Sequence, residues 1–321
     1  MPAYPQSVPN SPATKPLTIA VVGPTASGKS TLALNLAAAL GGEIVNFDSL
    51  QLYRGFDIGS AKTPPEERGG VPHYLLDVLD PQQSYSAGEY AVLARRAITE
   101  ILGHRRLPIL VGGTGFYLRA TLTGLPELPS RDEPLRERLQ RRGERRPGSL
   151  QRLLNRLEPA AAQRIHSNDV QKLIRALEIR LLTGQALPRP SPEAAFCVLK
   201  LGLRPQRALL TERIERRTTL MFAGGLLDEV SRLLAQGHTG GEKPFEALGY
   251  RQALLHLRGK CTLAGAMEDT VVATRQYAKR QQTWFRQEAD IHWLDGFGDD
   301  SAIQRQAMEL AKNWLATQGH R

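Results

Sequence analysis

The chain has little cysteine: two in 321 residues, Cys197 and Cys261, with no C-x-x-C pair. That excludes a disulfide framework and argues against a thiolate metal site. The seven histidines show no paired ligand spacing, which removes the usual imidazole route to structural zinc. No apolar run approaches the roughly 18 residues that a membrane span needs, so no membrane partner is expected. The opening stretch, MPAYPQSVPNSPATKP, holds five prolines and lacks the apolar centre of a secretory signal. Residues 1–16 therefore read as a disordered tail with too little apolar surface to bury. No internal repeat is visible. These absences leave a protein expected in the reducing cytoplasm. The sequence does not fix the oligomeric state, and a monomer is expected.

What is present is basic. Lys and Arg number 42 against 32 Asp and Glu, a formal surplus of ten. Apolar residues make up 41% and charged ones 23%, ordinary for a globular chain, so the surplus and not the composition is informative. A basic surplus favours anionic partners such as nucleic acid, although a merely soluble basic enzyme would carry it too.

LTIAVV at 17–22 is a β-branched apolar run ending at Gly23, and STLALNLAAAL at 30–40 is rich in helix formers and stops at Gly41-Gly42. EIVNFDS at 43–49 reads as a second strand ending in Asp48. The alternation continues with an amphipathic helix at 87–106 and a strand, LPILVGGTG, at 107–115. Further strands are expected at 196–203 and 291–296. This pattern predicts a doubly wound parallel α/β sheet over 17–125 and 191–321.

Between 126 and 190 no strand is convincing. Helix-compatible runs lie at 132–142, 149–157 and 168–184, with Pro126 and Pro129 before them and Pro188, Pro190 and Pro192 after. Here 14 Lys and Arg face 8 Asp and Glu, so six of the ten surplus charges sit in about a fifth of the chain. The segment reads as an all-helical insertion into the α/β core, with solvated helix faces as the bland alternative.

GPTASGKS at 23–30 is the phosphate-loop pattern, and it sits between a strand and a helix as that loop requires. Its glycines let backbone N–H groups turn toward phosphate oxygens, and the following helix adds its positive end. Lys29 supplies a mobile charge, and the Ser30 hydroxyl can ligate Mg²⁺. A nucleotide hydrolase would next place a Mg²⁺-directing Asp after an apolar strand. LPILVGGTG offers glycines and Thr114 instead. The carboxylate that follows a strand is Asp48, expected beside the phosphate loop because parallel strands end on one side. It could orient Mg²⁺ or act as a base.

Seven ordered blocks then carry a resemblance. GPTASGKS, NFDSLQLYRGFDIGSAK (46–62), VPHYLLDVLDPQQSYSAGEY (71–90), LPILVGGTGFY (107–117), RIHSNDVQKLIRALEI (164–179), ALGYRQ (247–252) and AKRQQTWFR (278–286) follow one another. Together they resemble the bacterial tRNA dimethylallyltransferases, from about 17 to 295. The resemblance implies a phosphate-loop NTPase-like core with a helical tRNA-binding insertion. It also implies transfer of a dimethylallyl group from dimethylallyl diphosphate to N6 of the adenosine 3′ to the anticodon, in tRNAs reading codons that start with U. The resemblance further implies that ATP is not consumed.

By the same resemblance, Gly23, Pro24, Thr25, Ala26, Ser27, Gly28, Lys29 and Ser30 would hold the diphosphate, with Ser30 on Mg²⁺. Arg217 would clamp the diphosphate, and Asp48 would take the N6 proton. Contacts to the anticodon stem-loop are implied for Asp48, Ser49, Leu50, Gln51, Thr114 and Arg136. They are also implied for Gln171, Lys172, Leu173, Ile174, Arg175, Gly249, Tyr250 and Arg251, and for Lys279, Arg280, Gln281, Gln282, Thr283, Trp284, Phe285 and Arg286. The chain departs from the family pattern at Ser30, Phe47, Ser167 and Glu246. Glu246, being acidic, is not taken as an RNA contact. No zinc-finger spacing marks the eukaryotic form.

The chemistry is consistent with these residues. The adenine amine is a poor nucleophile, so catalysis must stabilise the departing pyrophosphate and accept a proton. A base in a stacked loop must be splayed out to react. In the helical candidate 271–287, Arg275, Lys279 and Arg286 share one face, suited to phosphates. Tyr277 and Trp284 share another, more suited to packing than to base stacking. Three rivals stay open: a small-molecule kinase using ATP, a relative prenylating free AMP or ADP, and a non-enzymatic RNA-binding protein.

Overall fold

The computed structural model describes residues 15–126, 128–187 and 195–319. The expected tail, apart from Lys15 and Pro16, and the prolines at 188, 190 and 192 lie outside the described residues. In chain order the elements are β1 Leu17–Val22, α1 Lys29–Leu40, β2 Gly42–Asn46, β3 His73–Tyr74, α2 Ala87–Gly103, β4 Leu107–Val111 and α3 Gly115–Thr123. Next come α4 Glu133–Arg145, α5 Ser149–Leu157, α6 Pro159–Arg164, α7 Val170–Thr183 and β5 Cys197–Leu203. The rest are α8 Arg207–Ala223, α9 Leu226–Ala235, α10 Tyr250–Leu257, α11 Leu263–Phe285, β6 Ile291–Leu294 and α12 Ser301–Thr317. Two compact units result: Met1–Leu122 with Ala194–Arg321, and Thr123–Glu193.

The first unit is built on a six-stranded sheet in the order β3-β2-β4-β1-β5-β6. Every pairing is parallel. β1 is central, and its run LTIAVV is apolar throughout because both faces are covered. Ala20 and Val22 join one core layer with Val45, Leu110 and Ile98. Ile19 and Val21 join the opposite layer with Leu32, Leu36, Leu201 and Ala307. Helix ends carry their own signals. Ser86 and Glu89 form a reciprocal capping box at the start of α2. Gly41, with φ of 65°, ends α1 in the left-handed conformation that a side chain would resist.

The second unit contains α4 to α7 around Leu139, Leu150, Leu154, Leu173, Ile174 and Leu177. Asp132 and Asp169 cap α4 and α7 through side-chain oxygens. At its centre lies Glu178, a fully buried carboxylate. It accepts hydrogen bonds from the Asp132 N–H at 2.8 Å and from Arg175 at 2.6 Å, and it pairs with Arg136 at 3.2 Å. Burial pushes this carboxyl up, but the Arg175 bond, the Asp132 N–H and the two cationic charges outweigh it and hold the group below its ordinary range.

Some elements differ from expectation. β2 stops at Asn46, short of 49, because the Asn46 side chain closes the turn. Its Oδ1 accepts the Asp48 N–H at 2.9 Å and its Nδ2 donates to the Leu75 carbonyl at 2.9 Å. Short β3 and α6 were not anticipated, since two residues and PAAAQR carry almost no periodic signal. α11 begins at Leu263, capped by Thr262, well before 271.

Candidate active site

Residues 23–28 link β1 to α1. Ala26 and Gly28 hold φ of 62° and 82°, the left-handed conformation by which such loops turn N–H groups toward an anion. Gly28 has a steric reason as well: a Cβ there would lie 2.9 Å from both Asp299 Oδ1 and the Gly298 nitrogen. The Gly298 N–H in turn donates to the Ser27 carbonyl at 2.8 Å, so the loop after β6 braces the turn from behind. Ser27 is buried, and its hydroxyl has no hydrogen-bond partner among the described residues. An orphaned hydroxyl inside such a loop calls for an external acceptor.

The Lys29 ammonium turns inward and donates to the Pro24 carbonyl at 2.7 Å. Burial lowers its pKa to about 8, with Asp48 opposing and Arg217 reinforcing the shift. Arg217, from α8, donates to Thr25 Oγ1 at 3.3 Å, and burial lowers its pKa while Asp48 raises it. A guanidinium stays charged despite that shift.

Asp48 follows β2. Its Oδ1 accepts the Leu50 N–H at 3.0 Å, fixing the carboxylate at the head of a turn. Thr114 holds the same turn from the β4 side, accepting from the Ser49 N–H at 3.1 Å and donating to Ser49 Oγ at 3.3 Å. The glycines of LPILVGGTG are explained by close approach. A Cβ on Gly112 would meet the Phe47 backbone at 2.5 Å, and one on Gly115 would meet Trp284 Nε1 at 2.1 Å.

A cavity of about 240 Å³ joins these parts. Thr25 and Arg217 stand on its wall with Asp48, Ser49 and Leu50. Its remaining wall includes Ile214, Thr218 and Met221 from α8 and Thr270, Thr274 and Tyr277 from α11. Burial pushes the Tyr277 phenol well up, Asp48 adds to this, and hydrogen bonds with Thr114 and Gln281 oppose it, so Tyr277 stays a neutral hydroxyl. Tyr277, expected to pack rather than to stack on a base, is half-buried and lines the cavity. Apart from Arg217, sequence reasoning missed the walls that α8 and α11 supply. The signal was present as spacing, since 214, 217, 218 and 221, and 270, 274, 277 and 281, each repeat at helical intervals on one face.

Several expected RNA contacts are corrected by burial. Leu173 and Ile174 are 1% and 2% exposed in the helical unit, and Tyr250, Gln281 and Phe285 are 0%, 5% and 1% exposed in the sheet unit. Such side chains have no surface to offer a ligand. Gly249 is buried too, its N–H capped by Gln252 at 3.0 Å. Gln51 donates to the Ser60 carbonyl at 3.1 Å. Arg136 and Arg175 commit their guanidinium groups to Glu178. Gln171, Lys172, Arg251, Lys279, Arg280, Thr283 and Arg286 remain exposed, and Gln282 and Trp284 are half-buried, with Arg119 stacked 4.6 Å from the Trp284 ring. Glu246 is exposed in a short turn of 3₁₀ helix.

Tyr250 instead anchors the loop after Asp48. Its hydroxyl donates to the buried Glu229 carboxylate and accepts the Gly59 N–H at 3.0 Å. Tyr250→Phe should destabilise the protein by about 1–3 kcal/mol, because it leaves buried groups unpaired, with RNA affinity unchanged. Denaturant melts paired with RNA titrations check this; weakened RNA binding at unchanged stability would contradict it.

The sheet order and the phosphate loop define a P-loop NTPase-like α/β protein, and comparison with known proteins narrows the class. The model of the family described as IPP transferase matches residues 51–288. A tRNA dimethylallyltransferase of Solibacter usitatus is 51% identical over 302 residues, covering 92% of this chain and 98% of its own. The solved tRNA isopentenylpyrophosphate transferase of Bacillus halodurans is 38% identical with a TM-score of 0.71, covering 95% of this chain and 97% of that one. A eukaryotic dimethylallyltransferase solved acting on tRNA is 26% identical with a TM-score of 0.81, covering 94% of this chain and 80% of that one. The chain belongs to the IPP transferase family.

Proposed function

We propose that this protein transfers the dimethylallyl group of dimethylallyl diphosphate to N6 of the adenosine 3′ to the anticodon, in tRNAs reading codons that start with U. The observation that carries the reading is one cavity whose wall combines a guanidinium, a carboxylate and apolar side chains. Thr25, Arg217 and Asp48 line it with apolar Ile214, Met221 and Leu248, and Lys29 lies close enough to feel the charges of both Asp48 and Arg217. An anionic leaving group, a short hydrocarbon and a proton-bearing nucleophile each find a matching partner there.

The reaction follows from these groups. The N6 lone pair forms a bond to the allylic carbon, the carbon–oxygen bond to the diphosphate breaks, and its electrons leave on the diphosphate. The N6 proton passes to the Asp48 carboxylate. Charge growing on the leaving oxygen meets the loop N–H groups, Lys29 and Arg217. Mg²⁺ is the proposed cofactor, and it would add positive charge at the diphosphate. The Ser30 hydroxyl, exposed in the first turn of α1, is the hard oxygen ligand that Mg²⁺ prefers, and no cluster of His, Cys, Asp and Glu competes among the described residues.

Because Lys29 titrates at about 8, donor binding should depend on pH. The protonated amine holds the anion, so affinity for dimethylallyl diphosphate should fall, and proton uptake on binding should appear, as pH rises above about 8. Calorimetry in two buffers of different ionisation enthalpy checks this; a flat affinity would contradict it.

RNA binding should be salt-dependent. Arg138, Arg141, Arg142, Arg145 and Arg146 crowd together along and just beyond α4, exposed and without an ion pair among the described residues. If they meet phosphates, each contact contributes about −0.7 to the slope of log K against log salt. Changing all five to Gln should flatten that slope; an unchanged slope would remove this face from the RNA surface. The proposed reaction itself is tested by digesting an anticodon stem-loop after incubation with donor and Mg²⁺. The expected product is a single prenylated adenosine, formed without ATP, and unmodified RNA would refute it.

A further inference from the structure

Gln281 belongs to a segment expected against RNA, yet its amide is turned inward and both ends are used. Its Oε1 accepts the Thr25 N–H of the phosphate loop at 2.8 Å, and its Nε2 donates to the Gly113 carbonyl at 3.0 Å. Flipping the amide would set donor against donor and acceptor against acceptor, so the partners fix its orientation. The side chain fills the place of a missing Cβ, since one on Gly113 would lie 2.1 Å from Nε2.

Thr25 and Gly113 are nodes of two different half-sites. Thr25 Oγ1 receives Arg217, the proposed diphosphate clamp. Gly113 precedes Thr114, which holds Ser49 beside the proton acceptor Asp48. A path of hydrogen bonds, completed by the Gly113–Thr114 peptide link, therefore runs from Arg217 through Thr25 and Gln281 to the Asp48 turn. In this chain of bonds the side chain that bridges the β1 and β4 loops is Gln281.

We infer that Gln281 is a positioning residue that sets the distance between the diphosphate clamp and the base, and that it does not contact RNA. It rests on the prenyl-transfer reading above. Both half-sites must be held at once during transfer, and a misplacement of about 1 Å costs on the order of 10²-fold in rate. Gln281 is not itself among the groups that this reading places on the diphosphate or on the N6 proton. A defect should thus appear in the chemical step and not in affinity.

Two variants test this in the full chain. Gln281→Met keeps length and removes both bonds. Its single-turnover rate at saturating donor and stem-loop should fall on the order of 10²-fold. Dissociation constants for dimethylallyl diphosphate and for the stem-loop should each stay within about threefold of wild type. Gln281→Glu restores the bridge only when protonated, accepting from Thr25 and donating to Gly113. Its rate relative to wild type should rise as pH falls from about 8 to about 6. Asp48, Arg217 and Tyr277 line the cavity and Lys29 lies beside Asp48 and Arg217 in both proteins, so the pH dependence that the two proteins share divides out of that ratio. Should Gln281→Met fail to fold, the Gln281→Glu ratio still decides.

Variants within threefold of wild type would overturn the inference. So would a weakened stem-loop affinity with an intact rate at saturation, which would return Gln281 to the RNA surface, or a Gln281→Glu ratio flat with pH. A wild-type protein that transfers no prenyl group would instead refute the underlying reading of function.

Discussion

Asp48→Asn should slow single-turnover prenyl transfer by about 10²–10⁴-fold, the range that a positioned base contributes. RNA affinity should stay within about threefold. The substitution is chosen to spare the fold. An Asn Oδ1 can still accept the Leu50 N–H, and the turn remains held by Asn46 and Thr114. What is lost is the ability to take a proton, since a neutral amide oxygen is a very weak base. Rates measured with excess enzyme over labelled stem-loop separate this step from product release. Transfer at the wild-type rate would remove Asp48 from the base role and leave proton loss to solvent.

Lys29→Met should cost about 10²–10³-fold in kcat/KM for dimethylallyl diphosphate, comparable with removing one oriented donor from a developing anion. The same substitution should affect stability in an unusual way. Lys29 has a folded-state pKa of about 8, below its ordinary 10.5, chiefly because of burial. Below about pH 8 the amine is charged in both folded and unfolded chains, and burying that charge is a standing penalty. The penalty is relieved as pH rises from about 8 toward 10.5, where only the unfolded chain still holds the proton. The wild type should therefore gain stability relative to Lys29→Met across that window. Parallel denaturant titrations measure the difference. A difference constant with pH would mean that the amine is solvated in the empty protein.

Local signals made much of this molecule legible. LTIAVV, the glycine turn and the helix after it are contiguous, so the phosphate loop can be read from eight residues and their flanks. Asp48 was reachable because parallel strands end on one side, even though β2 itself stops at Asn46. The all-helical unit was legible from its lack of strand periodicity, and α5 spans Ser149–Leu157, as the apolar spacing implies.

The rest depended on long-range contact. The cavity wall comes from α8 and α11, and Gln281 meets Thr25 across 256 residues of chain. Spacing on those helices shows which residues share a face, but not which face meets the phosphate loop. Resemblance marked whole segments as RNA contacts, yet neighbouring residues of a helix point about 100° apart. Within Lys279–Arg286, Gln281 and Phe285 face inward while Lys279, Arg280 and Arg286 face solvent. Tyr250 could not be told from an RNA contact until its hydroxyl was seen on Glu229 and Gly59.

The central claim is tested most directly by one single-turnover measurement. Purified protein and Mg²⁺ are mixed with dimethylallyl diphosphate labelled in the prenyl group, with an unmodified anticodon stem-loop in one tube and AMP in another. The account predicts label on the adenosine 3′ to the anticodon, none on AMP, and no ATP requirement. Label on AMP and not on the RNA would contradict it, leaving the phosphate chemistry standing and removing the tRNA.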